Sequence, residues 1–275
     1  MTMIRIGHTP DPDDAFMFYA LTAGKVKAEG CEITHVLEDI ESLNQRARTA
    51  ELEVTAISAA AYPRLADRYR IMDCGASMGK GYGPILVARE PMDPAEIPDR
   101  VVAIPGRYTT SALLLQVYCG DPKFVEVAFD EIPKAVLDGE VEVGLLIHEG
   151  QITHQAMGLH KVLDLGEAWE RESGLPLPLG INVVRRDLGE TTGAEMSEAL
   201  RRSIAYAHAH IDEAIEYAMR YGRGIDHDTC RRFVLMYVNN YTLTLGDEGR
   251  EALKLLLSFS REKGRISEIP PLDPI

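Results

Sequence analysis

The amino-acid sequence predicts an α/β protein in which two lobes flank a central cleft. Segments typical of strands and segments typical of helices alternate through about the first two-thirds of the chain, as in α/β units with parallel sheets. From about Met196 to Lys263 the pattern becomes almost entirely helical. No low-complexity linker interrupts the sequence, so we expect the chain to pass between the lobes through short extended segments.

The alternating region divides into elements that can be read in order. Strands are short apolar or alternating runs, whereas helices carry apolar residues at three- and four-residue steps. The predicted elements are the strand MIRIGH, the helix DDAFMFYALTAG, the strand CEITHVLED, the helix IESLNQRARTAEL, the strand and small-residue helix in EVTAISAAAY, the strands GPILVARE and RVVAIPG, the helix TTSALLLQVYCG, the strand FVEVAFD, the helix IPKAVLDGE and the strand VEVGLLIHEG.

The last third of the chain predicts amphipathic helices in MSEALRRSIAYAHAHIDEAIEYAMRYG, DHDTCRRFVLMYVNNYTL and DEGREALKLLLSFSREKG, followed by an extended proline-rich tail. One arrangement explains this order: the chain builds one lobe, crosses to a second, and returns to complete the first. We therefore predict a larger lobe from residues 1–89 and 186–275 and a second lobe from residues 90–185, with crossings near VAREP and INVVRRD. A cleft between lobes is a usual place for a small-molecule site.

Composition excludes several classes of protein. The 275 residues include 29 basic and 43 acidic side chains, for a formal net charge of −14. This balance disfavours nucleic acid and anionic membrane as partners, because both require clustered positive charge. A small local basic site for an anionic ligand is still compatible with it.

The four cysteines, Cys31, Cys74, Cys119 and Cys230, are widely spaced, which disfavours a disulfide framework or a structural zinc site. The N-terminus enters a strand directly, without the basic and apolar segments of a secretory signal, and no long uncharged apolar stretch predicts a membrane span. We therefore expect a cytoplasmic protein, if the sequence is the full precursor.

The stretch HTPDPDD follows the first predicted strand and admits three interpretations. Asp11 suits the N-cap of a helix, Pro12 suits its first position, and Asp13 and Asp14 suit its first turn, where acids complement the helix dipole. A metal site would need His8 and the carboxylates to converge, which the run alone does not indicate. The third interpretation is a ligand-facing loop, since open α/β sheets bind ligands after their strands.

Two further stretches combine a strand end with polar side chains. In AIPGRYTTSALLL a helix begins near Thr109 and Thr110, whose hydroxyls and free N–H groups, with Arg107 nearby, form a candidate cradle for a carboxylate or phosphate. The alternative is that the threonines only cap the helix. In EVGLLIHEG, His148 follows a buried strand, where a histidine would face the crevice and could transfer protons, or be purely structural.

Two small-residue stretches are weaker candidates. Ser58 in VTAISAAAYPRL could offer a hydroxyl at a third strand end, or the small residues could serve only close packing. The glycines of ASMGKGYGPILVAR indicate a mobile or ligand-approaching loop, although they do not form the GxGxxG pattern of dinucleotide sites.

Several motifs together resemble the 1,4-dihydroxy-6-naphthoate synthase family of the futalosine route to menaquinone. They are TPDPDDAFMFYAL, LEDIESLN, ISAAAY, PGRYTTSA, GLLIHE and DLGEAWERESGLPLPLG, and they run in the family's order over about residues 4 to 250. The resemblance implies a type II periplasmic-binding-protein-like fold and the conversion of cyclic dehypoxanthinylfutalosine to 1,4-dihydroxy-6-naphthoate, a carbon–carbon lyase reaction, without a metal or redox cofactor. It also implies a small anionic substrate, His148 as the proton acceptor, and substrate contacts at Thr109 and Thr110 and at Ala56, Ile57 and Ser58.

Two positions depart from the family pattern. The chain has TPDPDD where the family has SPCPND or similar, and Ala56 where the family has a lysine. Both changes make the site less favourable for an anion unless Asp11 and Asp13 point away or bind substrate hydroxyls. We therefore retain two alternatives to the lyase: a solute-binding protein of the same fold for a small anion, and chorismate dehydratase of the same pathway.

Overall fold

The computed structural model describes all residues, 1–275, and contains two β-sheets, each flanked by helices. The first sheet has the strand order β2-β1-β3-β11-β4, with β5 also paired to β11. Its strands are β1 (Thr2–His8), β2 (Cys31–Leu37), β3 (Val54–Ser58), β4 (Tyr69–Ile71), β5 (Ser77–Gly79) and β11 (Leu177–Arg185). The second sheet has the order β10-β6-β9-β7-β8. Its strands are β6 (Ile85–Ala88), β7 (Val101–Ile104), β8 (Lys123–Glu126), β9 (Val143–Leu146) and β10 (His160–Asp164).

Eleven α-helices accompany these strands. Six precede the last strand: α1 (Pro12–Thr22), α2 (Ile40–Arg48), α3 (Thr110–Cys119), α4 (Ile132–Leu137), α5 (Gly150–Thr153) and α6 (Leu165–Ser173). Five follow it: α7 (Gly189–Ala209), α8 (Ile211–Ala218), α9 (His227–Tyr237), α10 (Asn240–Leu243) and α11 (Gly246–Glu262). None of the helices combines the length and apolar character that a bilayer span requires.

The predicted two-lobed α/β architecture is confirmed, but the sheets are mixed rather than parallel. Strand β1 pairs in parallel with β2 and β3, and β7 pairs in parallel with β8 and β9. By contrast β6 and β11 run antiparallel to their neighbours β9 and β3. Each of these strands enters its sheet from the other lobe, so its direction opposes that of the strands made within the lobe.

The same two strands mark where the chain changes lobe. Ile85–Ala88 belongs to the second sheet and Leu177–Arg185 to the first. The chain therefore passes from one sheet to the other just before β6 and just before β11. The predicted lobe limits at 89–90 and 185–186 instead follow the C-terminal ends of these two strands. Apolar patterning indicates that a segment is a strand, but it does not indicate the sheet in which the strand pairs.

Candidate functional site

A cavity lies between the lobes and contains about 690 Å³ of space not occupied by protein atoms. It is lined by the end of β3, by the segments that follow β1 and β9, by the start of α3, by β11 and by α9. Four stretches singled out in the sequence, HTPDPDD, AIPGRYTTSALLL, EVGLLIHEG and VTAISAAAYPRL, therefore meet around one cavity. The predicted residues on its wall are Asp13, Ala56, Ile57, Ser58, Thr109, Thr110 and His148.

The acidic stretch forms the predicted helix start, but its three carboxylates have different surroundings. Asp11 occupies the N-cap position of α1, but its side chain accepts no hydrogen bond from the helix, and the residue is only 1 % exposed. Asp13 lines the cavity, and its Oδ1 is buried without a hydrogen-bond partner. Asp14 accepts hydrogen bonds from the Thr9 backbone N–H at 2.7 Å and from the Thr9 hydroxyl at 2.8 Å.

Burial changes the protonation of the two inner carboxyls. Removal from water and the neighbouring charges of Asp14 and Asp11 hold the pKa of Asp13 well above its ordinary value. Burial also raises the pKa of Asp14 to about 6, although the hydrogen bonds from Thr9 oppose the shift. Both shifts favour the protonated carboxyl, so burial weakens the negative charge that the sequence DPDD would bring to the cavity wall.

The start of α3 forms a second part of the wall. The Thr109 hydroxyl accepts a hydrogen bond from the Ala112 N–H at 3.2 Å and donates to the Gly106 carbonyl at 2.7 Å, so it caps the helix. The Thr110 hydroxyl donates to the Leu179 carbonyl of β11 at 2.8 Å. Because first-turn N–H groups have no acceptor within the helix, this end of α3 presents donors to the cavity.

The end of β3 forms a third part of the wall. The amide of Asn44 on α2 accepts from the Ser58 N–H at 2.8 Å and donates to the Ser58 hydroxyl at 3.0 Å. Ala56, Ile57 and Ser58 are all buried and lie antiparallel to β11 in the pairs Ala56–Asn182, Ile57–Ile181 and Ser58–Gly180. Ser58 is thus fixed by a neighbouring helix at the point where its strand ends.

His148 is the only histidine on the cavity wall, and it has an unusual backbone conformation. Its φ is +53°, in the left-handed region that residues other than glycine and asparagine rarely adopt. Such strain is concentrated at functional sites. The ring packs edge-on against Phe129, with centroids 5.0 Å apart.

An aspartate of the other lobe lies against the His148 ring. Nδ1 of His148 is 3.2 Å from Oδ2 of Asp11. The two groups are within ion-pair distance, but the ring N–H is not aligned with the oxygen, so Oδ2 makes no fully formed hydrogen bond. Asp11 itself is absent from the cavity wall and lies behind the histidine.

Arg223, which precedes α9, completes this region. Its Nη2 is 2.5 Å from Asp11 Oδ1, its Nη1 is 2.8 Å from Glu149 Oε1, and its guanidinium carbon lies 4.6 Å from the centre of the Phe129 ring. Burial alone would lower the pKa of Arg223, but the charges of Asp11 and Glu149 outweigh it, so the pKa is raised. The guanidinium therefore stays charged between the two carboxylates.

Arg107 does not join the site. Its guanidinium pairs with Glu126 on β8 at the surface, and its backbone N–H also donates to Glu126 at 3.1 Å. The proximity of Arg107 to Thr109 in sequence is therefore misleading as a prediction of a cavity contact. No lysine or arginine lines the cavity.

The backbone of the glycine-rich loop before β6 packs closely against the backbone at the start of α6. A Cβ on Gly166 would lie 2.1 Å from the carbonyl carbon of Tyr82, and a Cβ on Gly83 would lie 2.9 Å from the Gly166 Cα. The Pro84 carbonyl also accepts from the Leu165 N–H at 2.9 Å. Gly83 and Gly166 thus let the two backbones touch beside the lobe crossing, and Ser77 and Pro84 of the same stretch line the cavity.

His8, the histidine of the acidic stretch, does not line the cavity. His8 is buried, stacks on Phe18 and places Nε2 3.0 Å from Nδ1 of His35. Burial and the charge of His35 lower its pKa to about 3, so it is neutral at ordinary pH. No group of three or more histidine, cysteine, aspartate or glutamate side chains is arranged to hold a metal ion.

Several wall residues carry no separate signal in the sequence. They are Asn182 on β11, Gln151 on α5, and Phe233 and Tyr237 on α9. Tyr237 is hydrogen-bonded to Gln151 across the cleft, and burial raises its pKa well above the ordinary value. These residues sit in apolar strand or helix patterns, where a polar side chain is not distinguishable from a satisfied core residue.

A comparison with known protein families identifies the family of this chain. Residues 4–262 match the family model described as menaquinone biosynthesis. The chain belongs to this family.

Two relatives from the family cover nearly the whole chain. A protein of Thermus thermophilus named 1,4-dihydroxy-6-naphtoate synthase is 42% identical over 270 residues, which are 98% of each chain. A Streptomyces coelicolor protein of the same name is 34% identical over 275 residues, covering 98% of this chain and 96% of its own. These relatives support a role for the chain in menaquinone biosynthesis.

Solved structures agree with the family and the fold. A crystal structure from Archaeoglobus fulgidus is 53% identical, with a TM-score of 0.92, and the match covers 96% of this chain and 98% of that one. A Candida albicans protein described as having the generic periplasmic binding protein fold matches at a TM-score of 0.69 with 14% identity, over 98% of this chain and 92% of its own. The chain therefore has the periplasmic-binding-protein fold.

Proposed function

We propose that the protein converts cyclic dehypoxanthinylfutalosine into 1,4-dihydroxy-6-naphthoate, as a carbon–carbon lyase that uses His148 as its general base. The observation that carries this proposal is the meeting of His148 with the α3 start and the ends of β1 and β3 around one cavity. The relatives named for this product, at 42% and 34% identity, support the choice of reaction.

The start of α3 would bind the carboxylate of the anionic substrate. The cavity wall offers no lysine or arginine, so the donors are the first-turn backbone N–H groups of α3. The positive end of the helix dipole favours an anion at this position. The raised pKa of Asp13 weakens its repulsion of the substrate, and its unpartnered Oδ1 could bind a substrate hydroxyl.

The chemistry requires one well-placed base. Breaking the bond between the forming aromatic ring and the sugar-derived carbon needs removal of a proton, after which aromatisation drives the reaction. A histidine titrates near neutral pH, and general base catalysis contributes roughly 10²–10⁴-fold to a rate. Enclosure between the lobes would exclude water and align the substrate.

Turnover of the proposed substrate tests this function. Purified protein is mixed with cyclic dehypoxanthinylfutalosine, and the naphthoate product is followed by its near-ultraviolet absorption. His148→Asn should reduce the rate by roughly 10²–10⁴-fold while binding persists, because asparagine tolerates the left-handed backbone but cannot act as the base. His148→Ala should show the same loss of rate.

Three results would contradict the proposal. Wild-type protein that binds the substrate without turning it over would indicate a solute-binding protein of the same fold. Turnover of chorismate instead would indicate chorismate dehydratase. An active His148→Asn variant would remove His148 from the mechanism and leave the reaction itself in place.

A further inference from the structure

Four residues from both lobes, the base among them, form a closed ring of contacts, and a fifth joins the ring through Arg223. We name these five residues the cross-cleft cluster. Asp11 and Arg223 come from the first lobe, and Phe129, His148 and Glu149 come from the second. Arg223 contacts Asp11, Glu149 and Phe129, while His148 contacts Asp11 and Phe129. The two side chains that contact the His148 ring, Asp11 and Phe129, come from other segments of the chain.

We propose that Asp11 and Arg223 are positioning residues that orient the His148 imidazole when the lobes are closed. This inference rests on the proposed function, in which His148 is the base. It adds that residues of the first lobe orient a base that belongs to the second lobe. Closure of the cleft would therefore place the His148 ring in the orientation needed to accept a proton.

The two oxygens of Asp11 have separate tasks. Oδ1 is held by Arg223 at 2.5 Å, which leaves Oδ2 to face Nδ1 of His148 at 3.2 Å. A carboxylate at this nitrogen favours the tautomer that carries its proton on Nδ1, and Nε2 is then the nitrogen free to take a proton from substrate. Catalytic hydrogen bonds often align fully only in the complex with substrate, which accommodates the misaligned N–H seen here.

Arg223 is needed because Asp11 is almost fully buried. A buried carboxylate without a partner is strongly unfavourable, and Arg223 supplies both charge and a hydrogen bond. Its second nitrogen binds Glu149, the residue next to the base, and its planar face covers Phe129, which packs on the histidine ring. A lysine could neutralise one carboxylate but could not bridge both in this planar arrangement.

Separation of the lobes would dismantle this arrangement. Asp11 follows β1 and Arg223 precedes α9, so both would move with the first lobe, whereas His148 and Glu149 follow β9 in the second. In an open molecule the histidine would lose its aspartate and the arginine beside it. The base would therefore be oriented only around an enclosed substrate.

The tautomer of His148 can be measured without turnover. We would record ¹⁵N NMR spectra of histidine-labelled protein and assign His148 from the spectrum of His148→Asn. The wild type should show the Nδ1-protonated tautomer of His148, and Asp11→Asn should move the population toward the Nε2-protonated form. Circular dichroism confirms that each variant is folded.

Kinetics supply the second measurement. Asp11→Asn should lower kcat by up to about 100-fold, as misplacement of a catalytic group does, with a much smaller change in KM. Arg223→Gln should resemble Asp11→Asn, and Arg223→Lys should recover part of the rate. The matched control is Asp212→Asn, which removes a carboxylate from the exposed Arg231–Asp212 pair, 2.9 Å apart, in the same lobe. It should change neither the tautomer nor kcat.

The outcomes separate this inference from the proposed function. An unchanged tautomer in folded Asp11→Asn, or a kcat unaffected by both Asp11→Asn and Arg223→Gln, overturns the positioning role. If Asp11→Asn shifts the tautomer of His148 but the wild-type protein turns over no substrate, orientation by Asp11 is supported. That result contradicts only the proposed reaction.

Discussion

Three neighbouring aspartates differ in their surroundings because each meets a different part of the fold. Asp11 meets Arg223, Asp14 meets Thr9, and Asp13 has an oxygen with no partner on the cavity wall. The sequence predicts the helix start that all three share, since capping depends on residues close together in the chain. It does not predict the ion pair, because Arg223 lies 212 positions from Asp11.

The raised pKa of Asp13 predicts a pH-dependent stability. Between the ordinary pKa of an aspartate, about 3.9, and the higher value in the fold, the folded protein keeps a proton that the unfolded chain has lost. The free energy of unfolding therefore falls as pH rises through this window. Asp13→Asn cannot titrate, so its stability relative to wild type should rise as the pH rises through this window.

Urea denaturation at a series of pH values measures this difference. Other carboxyls also contribute, among them Asp14, whose pKa is raised to about 6, and Glu53, whose pKa is lowered to about 2. The difference between Asp13→Asn and wild type reports Asp13 together with its coupling to Asp14 and Asp11, because distant groups such as Glu53 contribute equally to both proteins. Parallel stability curves for the two proteins would show that Asp13 does not carry the raised pKa.

At the scale of single elements, the start of α3 shows what a local pattern can reveal. The run PGRYTTSALLL contains the strand end, the capping threonine and the apolar helix, and the structure has a helix from Thr110 with Thr109 as its cap. All of these features depend on hydrogen bonds between near neighbours. Arg107 belongs to the same run, but its partner Glu126 lies on β8, which the local pattern does not include.

Thr109→Ala should reduce both stability and substrate binding. Loss of the hydroxyl removes the cap on the Ala112 N–H, which costs about 1 kcal/mol of unfolding free energy. It also frees the loop from Gly106, so the donors of the helix start are less ordered and KM should rise. Thr109→Ser should keep both properties, because serine retains the capping oxygen. Urea denaturation and steady-state kinetics measure the two effects.

A cap remote from the cavity provides the comparison for Thr109. The Asp93 side chain accepts from the Ala95 N–H at 2.9 Å at the start of a short 3₁₀ helix, Pro94–Asp99, and does not line the cavity. Asp93→Ala should cost stability without raising KM. An unchanged KM in Thr109→Ala would assign Thr109 to helix stability alone.

At the scale of the whole molecule, one apolar core joins the two lobes. It includes Ile57 and Tyr62 of the first lobe together with Val102, Leu113 and Trp169 of the second. Helix α3 packs both on α6 and on the 3₁₀ helix Ala59–Arg64 of the first lobe. The sequence predicts two lobes and a cleft, but it does not predict this shared core, because apolar residues of α3 show no preference for one lobe.

The shared core predicts that the lobes unfold together. Trp169 is the only tryptophan, is fully buried, and packs edge-on against Phe259 of α11, so its fluorescence reports contact between the lobes. Circular dichroism reports the helices, most of which belong to the first lobe. Because burial of one core stabilises both lobes, the two signals should follow a single urea transition with the same midpoint. A fluorescence change that precedes the loss of helix would show instead that the lobes separate before either unfolds, and that their shared core is the weaker part of the molecule.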